Sequence, residues 1–472
     1  MTITFGTDGW RGIIADDFTF ENVRFCAQGV SDLLTSQNES RGVLVGYDTR
    51  FGSENFARAV AEVLAGNGHP VVICDRSAPT PTIAYNLVSH KKSAGIIITA
   101  SHNAHEWNGF KYKPDYGGSA SQDIIDNLES YISKAVAKND PSWMELSVAG
   151  EKGLLDQINP EPDYFKHLSE IIDLELIKSS GLNIITDSMH GSGAEYFKYL
   201  LSGQETSVSS LRSEPNPRFP GMIQPEPVEQ NLAELGLTVR EQNADIGLAT
   251  DGDADRLGVI DENGRYVNTL QVFSLLCLLL LDIRQQSGPI VKSITMSSMV
   301  DRLGEIYSVP VFKTPVGFKH LGPVMIKEKA LLAGEESGGY AYRASGPERD
   351  GILSGLMTLE LMVRTGLSIS ELIEKLGNMV GPHHYGRIDI KIGKSKTIDI
   401  LNKMRRANPK QLAGQQVDYV DDQDGFQFIL QNGYWSLVRL SGTEPIVRIY
   451  AESESPKLVE QLLKETRALA GI

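Results

Sequence analysis

The sequence predicts an α/β protein made of three units with parallel sheets and a fourth, smaller α+β unit with a mostly antiparallel sheet. Short uninterrupted apolar runs alternate with helical spacing three times along the chain, the pattern of parallel strands buried on both faces. After Gly377 the strands instead alternate apolar and polar residues, as half-exposed antiparallel strands do. The length agrees, since 472 residues exceed what one core organises and correspond to roughly three or four domains.

In the first unit, residues 1–152, the runs 42–47, 70–74 and 94–98 read as strands, with helical spacing at 53–64 between the first two. The second, 153–264, offers strands at 182–187 and 245–250, and 258–264 reads as a strand entering a hairpin turn. The third, 265–378, offers 290–295, 309–312 and 330–333. In the fourth, 379–472, a strand at 387–392 precedes a helix at 396–406 and strands near 426–430, 434–440 and 446–450. A last helix starts at Ser455-Pro456, proline being well placed in a first turn. The longest apolar stretch, 272–281, is about half of what a bilayer crossing needs and reads as a buried helix. A proline-rich connection at 216–227 reads as an ordered loop without chemistry.

Composition narrows the function. A formal net charge of −15 argues against nucleic acid or an anionic membrane as partner, because both would be repelled. The balance is uneven: residues 379–472 carry 13 Lys+Arg against 11 Asp+Glu, which makes this segment the place to look for an anion site. Cys26, Cys74 and Cys277 lie far apart in apolar surroundings, without metal-ligand spacing, and read as reduced core thiols. The opening residues show no basic-then-apolar leader, so the expected compartment is the cytoplasm.

Four loops carry the chemistry. The run 94–98 ends in Thr99-Ala100-Ser101-His102-Asn103, which sets a hydroxyl beside an imidazole and an amide. The run 245–250 ends in Asp251-Gly252-Asp253-Ala254-Asp255-Arg256, three carboxylates and a guanidinium in six residues. Calcium loops of EF-hands also open Asp-x-Asp-x-Asp, and Glu262 falls at the twelfth position, but the sixth position needs Gly and holds Arg256, between strands rather than helices. The third loop, Gly334-Glu335-Glu336-Ser337-Gly338-Gly339, puts carboxylates and a hydroxyl on a close-approaching backbone suited to sugar hydroxyls. The fourth, Arg439-Leu440-Ser441-Gly442-Thr443-Glu444-Pro445 with Arg448, combines small hydroxyl residues and guanidiniums as a phosphate cradle does. Taken singly, the serine also suits a helix cap and the glycine-rich segments suit plain turns. In open α/β sheets, however, ligands bind outside the carboxyl ends of strands, where such loops converge.

In this order the four loops resemble those of the α-D-phosphohexomutase superfamily, the phosphoglucomutase/phosphomannomutase enzymes. Phe5-Gly6-Thr7-Asp8-Gly9-Trp10-Arg11-Gly12 adds a further matching segment, and the likeness extends over essentially the whole chain. The resemblance implies three related α/β domains and a C-terminal TATA-box-binding-protein-like α+β domain around a central cleft. By position it implies that Ser101 is a phosphoserine whose phosphate shares a magnesium ion with Asp251, Asp253 and Asp255. Arg256 and Lys111, within Asn108-Gly109-Phe110-Lys111, would face the reacting oxygens, Lys111 as a candidate base, with Arg11 and His102 in support. Glu335 and Ser337 would bind sugar hydroxyls, and Lys319, in Thr314-Pro315-Val316-Gly317-Phe318-Lys319, would face substrate. Arg439, Ser441, Gly442, Thr443 and Arg448 would hold the distal phosphate.

The reaction so implied is reversible phosphoryl transfer between the 1- and 6-positions of a hexose phosphate, with hexose 1,6-bisphosphate as intermediate and activator, in a monomer or homodimer. Glucose, mannose and other hexose phosphates stay open as substrates. Gly339 stands where many bacterial members place His, which weighs against a phosphoglucosamine mutase. A metal-dependent sugar phosphatase and a non-enzymatic sugar-phosphate sensor are the alternatives. Phosphoryl return to sugar rather than water separates the first; retention of Ser101, the three aspartates and Lys111 argues against the second.

Overall fold

The computed structural model describes residues 3–6, 8–203, 205–440 and 446–472. Its four sheets follow one another along the chain. The first has the order Trp10–Ile13, Trp107–Pro114, Ala94–Ile98, Val43–Tyr47, Val71–Cys74, Leu155–Ile158. Its inner strands Ala94–Ile98, Val43–Tyr47 and Val71–Cys74 are parallel and buried along their whole length, which is why they read as unbroken apolar runs. The second sheet runs Tyr266–Val267, Leu257–Ile260, Ile246–Thr250, Asn183–Asp187, Ser207–Leu211, and the third Val311–Thr314, Ile290–Ser293, Leu332–Gly334, Tyr340–Tyr342. The fourth is antiparallel throughout: His384–Lys391, Ile446–Ser453, Trp435–Leu440, Phe426–Leu430, Gln415–Asp421, Gln411–Leu412.

One device recurs in the three α/β units. A parallel strand reaches its carboxyl end, turns, and comes back as its own antiparallel neighbour. Ala94–Ile98 returns as Trp107–Pro114, Ile246–Thr250 as Leu257–Ile260, and Leu332–Gly334 as Tyr340–Tyr342. The serine, aspartate and Gly-Glu loops are these three turns.

Two sheets extend past the expected limits of their units. Leu155–Ile158 joins the first sheet beyond 152, and Tyr266–Val267 joins the second beyond 264. Both are short edge strands, and the outer one carries exposed Asp156 and Gln157, so neither shows the apolar run that marks an inner strand.

Local signals explain several boundaries. Ser368 and Glu371 form a reciprocal capping box at the start of the helix Ile369–Val380. Ser455 caps the helix Pro456–Ala470, and its proline occupies the first turn as expected. The apolar run 272–281 lies in the buried helix Thr269–Leu278 and the π-turn Leu279–Ile283 that continues it. No single helix among the described residues is long and apolar enough to cross a membrane. That buried helix belongs to a core shared by the second and third units, whereas the first and fourth each pack a core of their own.

Candidate active site

Ser101 is buried and adopts a left-handed backbone conformation, φ 53°, which costs energy in a residue with a Cβ and marks a site held in place by its surroundings. Those surroundings are specific. The Ser101 amide donates to Thr99 Oγ1 at 2.9 Å, and that hydroxyl donates to Asp48 Oδ2 at 2.5 Å. Asp48 pairs with Arg50, whose guanidinium donates to the carbonyls of Ser101 and Asn103 at 2.6 Å, Ala104 at 2.9 Å and Trp107 at 3.1 Å. A single side chain thus gathers the turn around the serine.

The serine hydroxyl crosses to the second unit, donating to Asp251 Oδ2 at 2.9 Å. Gly252 is required here by close approach, because a Cβ would stand 2.5 Å from the Ser101 carbonyl oxygen. Asp251, Asp253 and Asp255 are fully buried and each offers a carboxylate oxygen within 4.8 Å of the others. Their oxygens divide the work. Asp253 Oδ2 accepts from Thr80 Oγ1 at 2.6 Å and Lys111 Nζ at 2.7 Å, and Asp255 Oδ2 faces Arg349 at 2.8 Å. Asp253 Oδ1 and Asp255 Oδ1 are buried with no hydrogen-bond partner among the described residues. Two unsatisfied carboxylate oxygens beside a third carboxylate suit a hard divalent cation such as magnesium, so the residues present fit the expected metal.

Electrostatics set the protonation states. Burial opposes charge on Lys111, but Asp253, Asp8 and Asp255 outweigh it and hold the ammonium charged far above its ordinary range. Its Nζ lies 2.8 Å from Asp8 and 3.4 Å from Asp255. Held charged in this way, the ammonium keeps its proton and stands as a hydrogen-bond donor and fixed positive charge, so the expected role of Lys111 as base needs its carboxylate partners to be drawn away first. His102 is the opposite case: burial, then the cations Arg256, Arg11, Arg50 and Lys111, push it well below its ordinary value and keep it neutral. Its Nδ1 stands 3.3 Å from Ser101 Oγ. Burial also drives the Asp251 carboxyl well above the carboxylate range, with Asp255 and Asp253 adding to the effect.

The remaining expected residues are placed as follows. Arg11, on the edge strand Trp10–Ile13, donates to Asn103 Oδ1 of the serine turn. Arg256 pairs with Glu226 at 2.8 Å and lies 3.9 and 3.8 Å from Asp251 and Asp255. Glu335 is buried and accepts from the Gly317 amide at 2.6 Å; burial raises its pKa. Ser337 is half-buried in the same turn. Lys319 donates to Gln122 of the first unit at 3.0 Å. Arg439 pairs with Asp424 at 2.9 Å, and Arg448 with Asp389 at 3.4 Å. Ser441, Gly442 and Thr443 lie outside the described residues.

Several site residues carried no recognisable sequence signal. Arg50 is one. Asp8 lies in the matching segment 5–12 but carries no assigned role there: it accepts from Lys113 at 2.9 Å and pairs with Lys111 and Arg349, cations that hold its carboxyl low although burial opposes them. The proline-rich loop 216–227 is also part of the site, contrary to expectation. Its Pro225 packs on Gly252, its Glu226 holds Arg256, and its Phe219 ring lies 4.9 Å beneath the Arg50 guanidinium.

Residues 2–139, 162–264 and 271–379 match the phosphoglucomutase/phosphomannomutase alpha/beta/alpha domains I, II and III, and residues 401–469 match the C-terminal domain of the same family. A Thermus thermophilus protein named as a phosphomannomutase is 34% identical with a TM-score of 0.87, each chain covered in full at 100%. The phosphoglucomutase/phosphomannomutase of Thermococcus kodakarensis is 30% identical over 98% of this chain and 96% of its own. A Methanothermobacter thermautotrophicus relative named as a phosphoglucosamine mutase is 32% identical over 98% and 96%. The chain belongs to the phosphoglucomutase/phosphomannomutase family of phosphohexomutases, which are isomerases.

Proposed function

We propose that the protein interconverts the 1- and 6-phosphates of a hexose, glucose or mannose, by way of a phosphorylated Ser101 and a bound hexose 1,6-bisphosphate. The observation that carries this reading is the Ser101 hydroxyl, fixed in a strained turn 2.9 Å from Asp251 and beside the unsatisfied oxygens of Asp253 and Asp255. A phosphoryl group there brings a charge of about −1.5 to −2, which needs cationic neighbours. Magnesium held by Asp251, Asp253 and Asp255 would supply charge neutralisation for the phosphoryl group.

The chain's own residues account for the rest. Arg256 and Lys111 stand as fixed positive charges around the transferring group. A sugar hydroxyl attacks phosphorus as the P–Oγ bond of Ser101 breaks, and its proton ends on the departing Oγ, beside which stand Asp251 Oδ2 at 2.9 Å and His102 Nδ1 at 3.3 Å. The bisphosphate then turns over and returns its other phosphoryl group to Ser101, so Arg439 and Arg448 meet either phosphate in turn. Glu335 and Ser337 hold sugar hydroxyls between the two ends.

A phosphoglucosamine mutase is the second reading, favoured by the name of the relative at 32% identity. Glucose, mannose and glucosamine phosphates assayed side by side, each started with its own bisphosphate, test both. Turnover of glucose or mannose phosphates above glucosamine phosphate is expected. Preference for glucosamine phosphate overturns the first reading; release of inorganic phosphate at the rate of turnover makes the protein a phosphatase, and binding without turnover a sensor.

A further inference from the structure

Asp424 lies in the turn between Gln415–Asp421 and Phe426–Leu430 of the fourth sheet. One of its oxygens serves two units. Oδ2 accepts from Arg439 Nε at 2.9 Å within the fourth unit and from the Val316 backbone amide at 2.9 Å in the third. The next amide along the chain, that of Gly317, donates to Glu335 Oε1 at 2.6 Å. Two consecutive N–H groups therefore tie one carboxylate beside a cation of the fourth unit to another carboxylate in the Gly-Glu turn of the third.

We infer that Asp424 is a positioning residue that couples Arg439 to Glu335 through the Val316-Gly317 backbone; this rests on the reading of Arg439 as a phosphate ligand and Glu335 as a sugar ligand. The two amides lie on adjacent peptide planes hinged at Val316 Cα, and with one bonded to Asp424 and the other to Glu335 a displacement at Asp424 shifts that shared Cα and is felt at Gly317. Both ends are charge-assisted hydrogen bonds, the stronger kind, and Glu335 is almost wholly buried, with little water to replace a lost donor. Among the described residues Arg439 meets Asp424 through its Nε, so the carboxylate aims the guanidinium, whose terminal nitrogens would face a phosphate. The two ends of a sugar phosphate are in this way recognised by one connected set of bonds rather than by two independent loops.

Asp424→Ala and Asp424→Asn in the full chain test the relay. Without any substrate, hydrogen exchange of the segment 314–320 is expected to quicken about ten-fold in the alanine variant, each factor of ten being 1.4 kcal/mol of lost protection. The asparagine variant, which keeps an oxygen for both donors, is expected to exchange like the wild type. With glucose 1-phosphate and mannose 1-phosphate as probes, Asp424→Ala is expected to raise KM about ten-fold and change kcat less than two-fold. Adding Glu335→Gln to Asp424→Ala is expected to cost less than the product of the two single effects. If the alanine variant does not fold, Asp424→Ser, too short to span both donors, takes its place. Unchanged exchange at 314–320, a lowered KM, or an asparagine variant as loose as the alanine one overturns the relay. Exchange needs no substrate, so a wild type inactive on every hexose phosphate would defeat the functional reading and leave this test standing.

Discussion

Gly339 and Arg349 share one volume: a Cβ on the glycine would lie 2.5 Å from Cδ of the arginine and 3.1 Å from its Cγ. The arginine stem crosses the space a side chain at 339 would fill, and its guanidinium continues to Asp8 and Asp255 and lies 5.3 Å over the Phe318 ring. A cation from ten residues further along thus occupies this room. Asp255, Asp8, Glu348 and Glu335 together outweigh its burial and hold it charged.

Gly339→Ala is therefore expected to push Arg349 off Asp255. Steady-state kinetics should show kcat/KM falling by about ten-fold, the worth of about 1.4 kcal/mol. An unchanged value would show that the arginine stem can step aside.

Ser101→Ala is expected to lose nearly all mutase turnover while still binding hexose phosphate, because Arg439, Glu335 and the metal carboxylates remain. Intact-mass measurement should find one phosphate on active wild type and none at this position in the variant. Turnover close to wild type would remove the serine from the chemistry.

Arg50→Lys keeps the charge against Asp48 but replaces a fork that meets four carbonyls by a single ammonium. Unfolding in urea should show a loss of about 2–4 kcal/mol, since buried acceptors lose their donors. The rate should fall further than stability alone explains, because the Ser101 turn loses its clamp; a variant with normal kcat would mean that the turn holds itself.

Asp253→Asn removes charge from the cluster and leaves Glu335 and Arg439 untouched. Magnesium should raise the melting temperature of the wild type, by linkage of binding to folding, and do so much less in the variant. A chelator should abolish the difference. Equal shifts in both proteins would place the cation elsewhere.

Asp350 gives a pH dependence. It caps the helix Gly351–Thr365 and accepts from Tyr164 Oη at 2.8 Å, and burial raises its pKa from 3.8 to about 7. Between those values the folded chain keeps a proton that the unfolded chain has released. Stability from this group is thus present below about pH 4 and is lost as pH rises towards 7. Asp350→Asn retains the acceptor without the charge, so its unfolding free energy should gain on the wild type as pH rises from about 4 to 7, by as much as about 2–4 kcal/mol. A difference that stays flat across that range would contradict the assignment.

The legible parts of the site were those concentrated at the end of one strand. Ser101 and the three aspartates sit in contiguous turns, and the structure brings these turns together. Arg50, Glu226 and Arg349 were illegible because each acts on partners well along the chain and has ordinary neighbours in sequence, and Asp424 because one of its donors is a backbone amide 108 positions away. Arg349, for example, meets Asp8 across 341 positions. The loop 216–227 was misjudged for a related reason, since proline content announces an irregular backbone but not what that backbone leans on. Inner strands could be read from their apolar runs, whereas Leu155–Ile158 and Tyr266–Val267, at sheet edges, could not. The charge state of Lys111 depends on carboxylates from two units and was out of reach of any local pattern.

Lys111 and Lys113 leave the same face of Trp107–Pro114, both fully buried, and draw their counter-charges from three places: Asp8 at home, Asp253 and Asp255 in the second unit, Glu348 in the third. Cut free, the first unit would keep two ammonium groups and one of these four carboxylates, and the ion pairs to the other three would be lost. The ions that serve the reaction are thus also the seam of the molecule. Exchanging one α/β unit for that of a relative would succeed only if its partners in this ionic set were exchanged with it, so the three units are bound to change together.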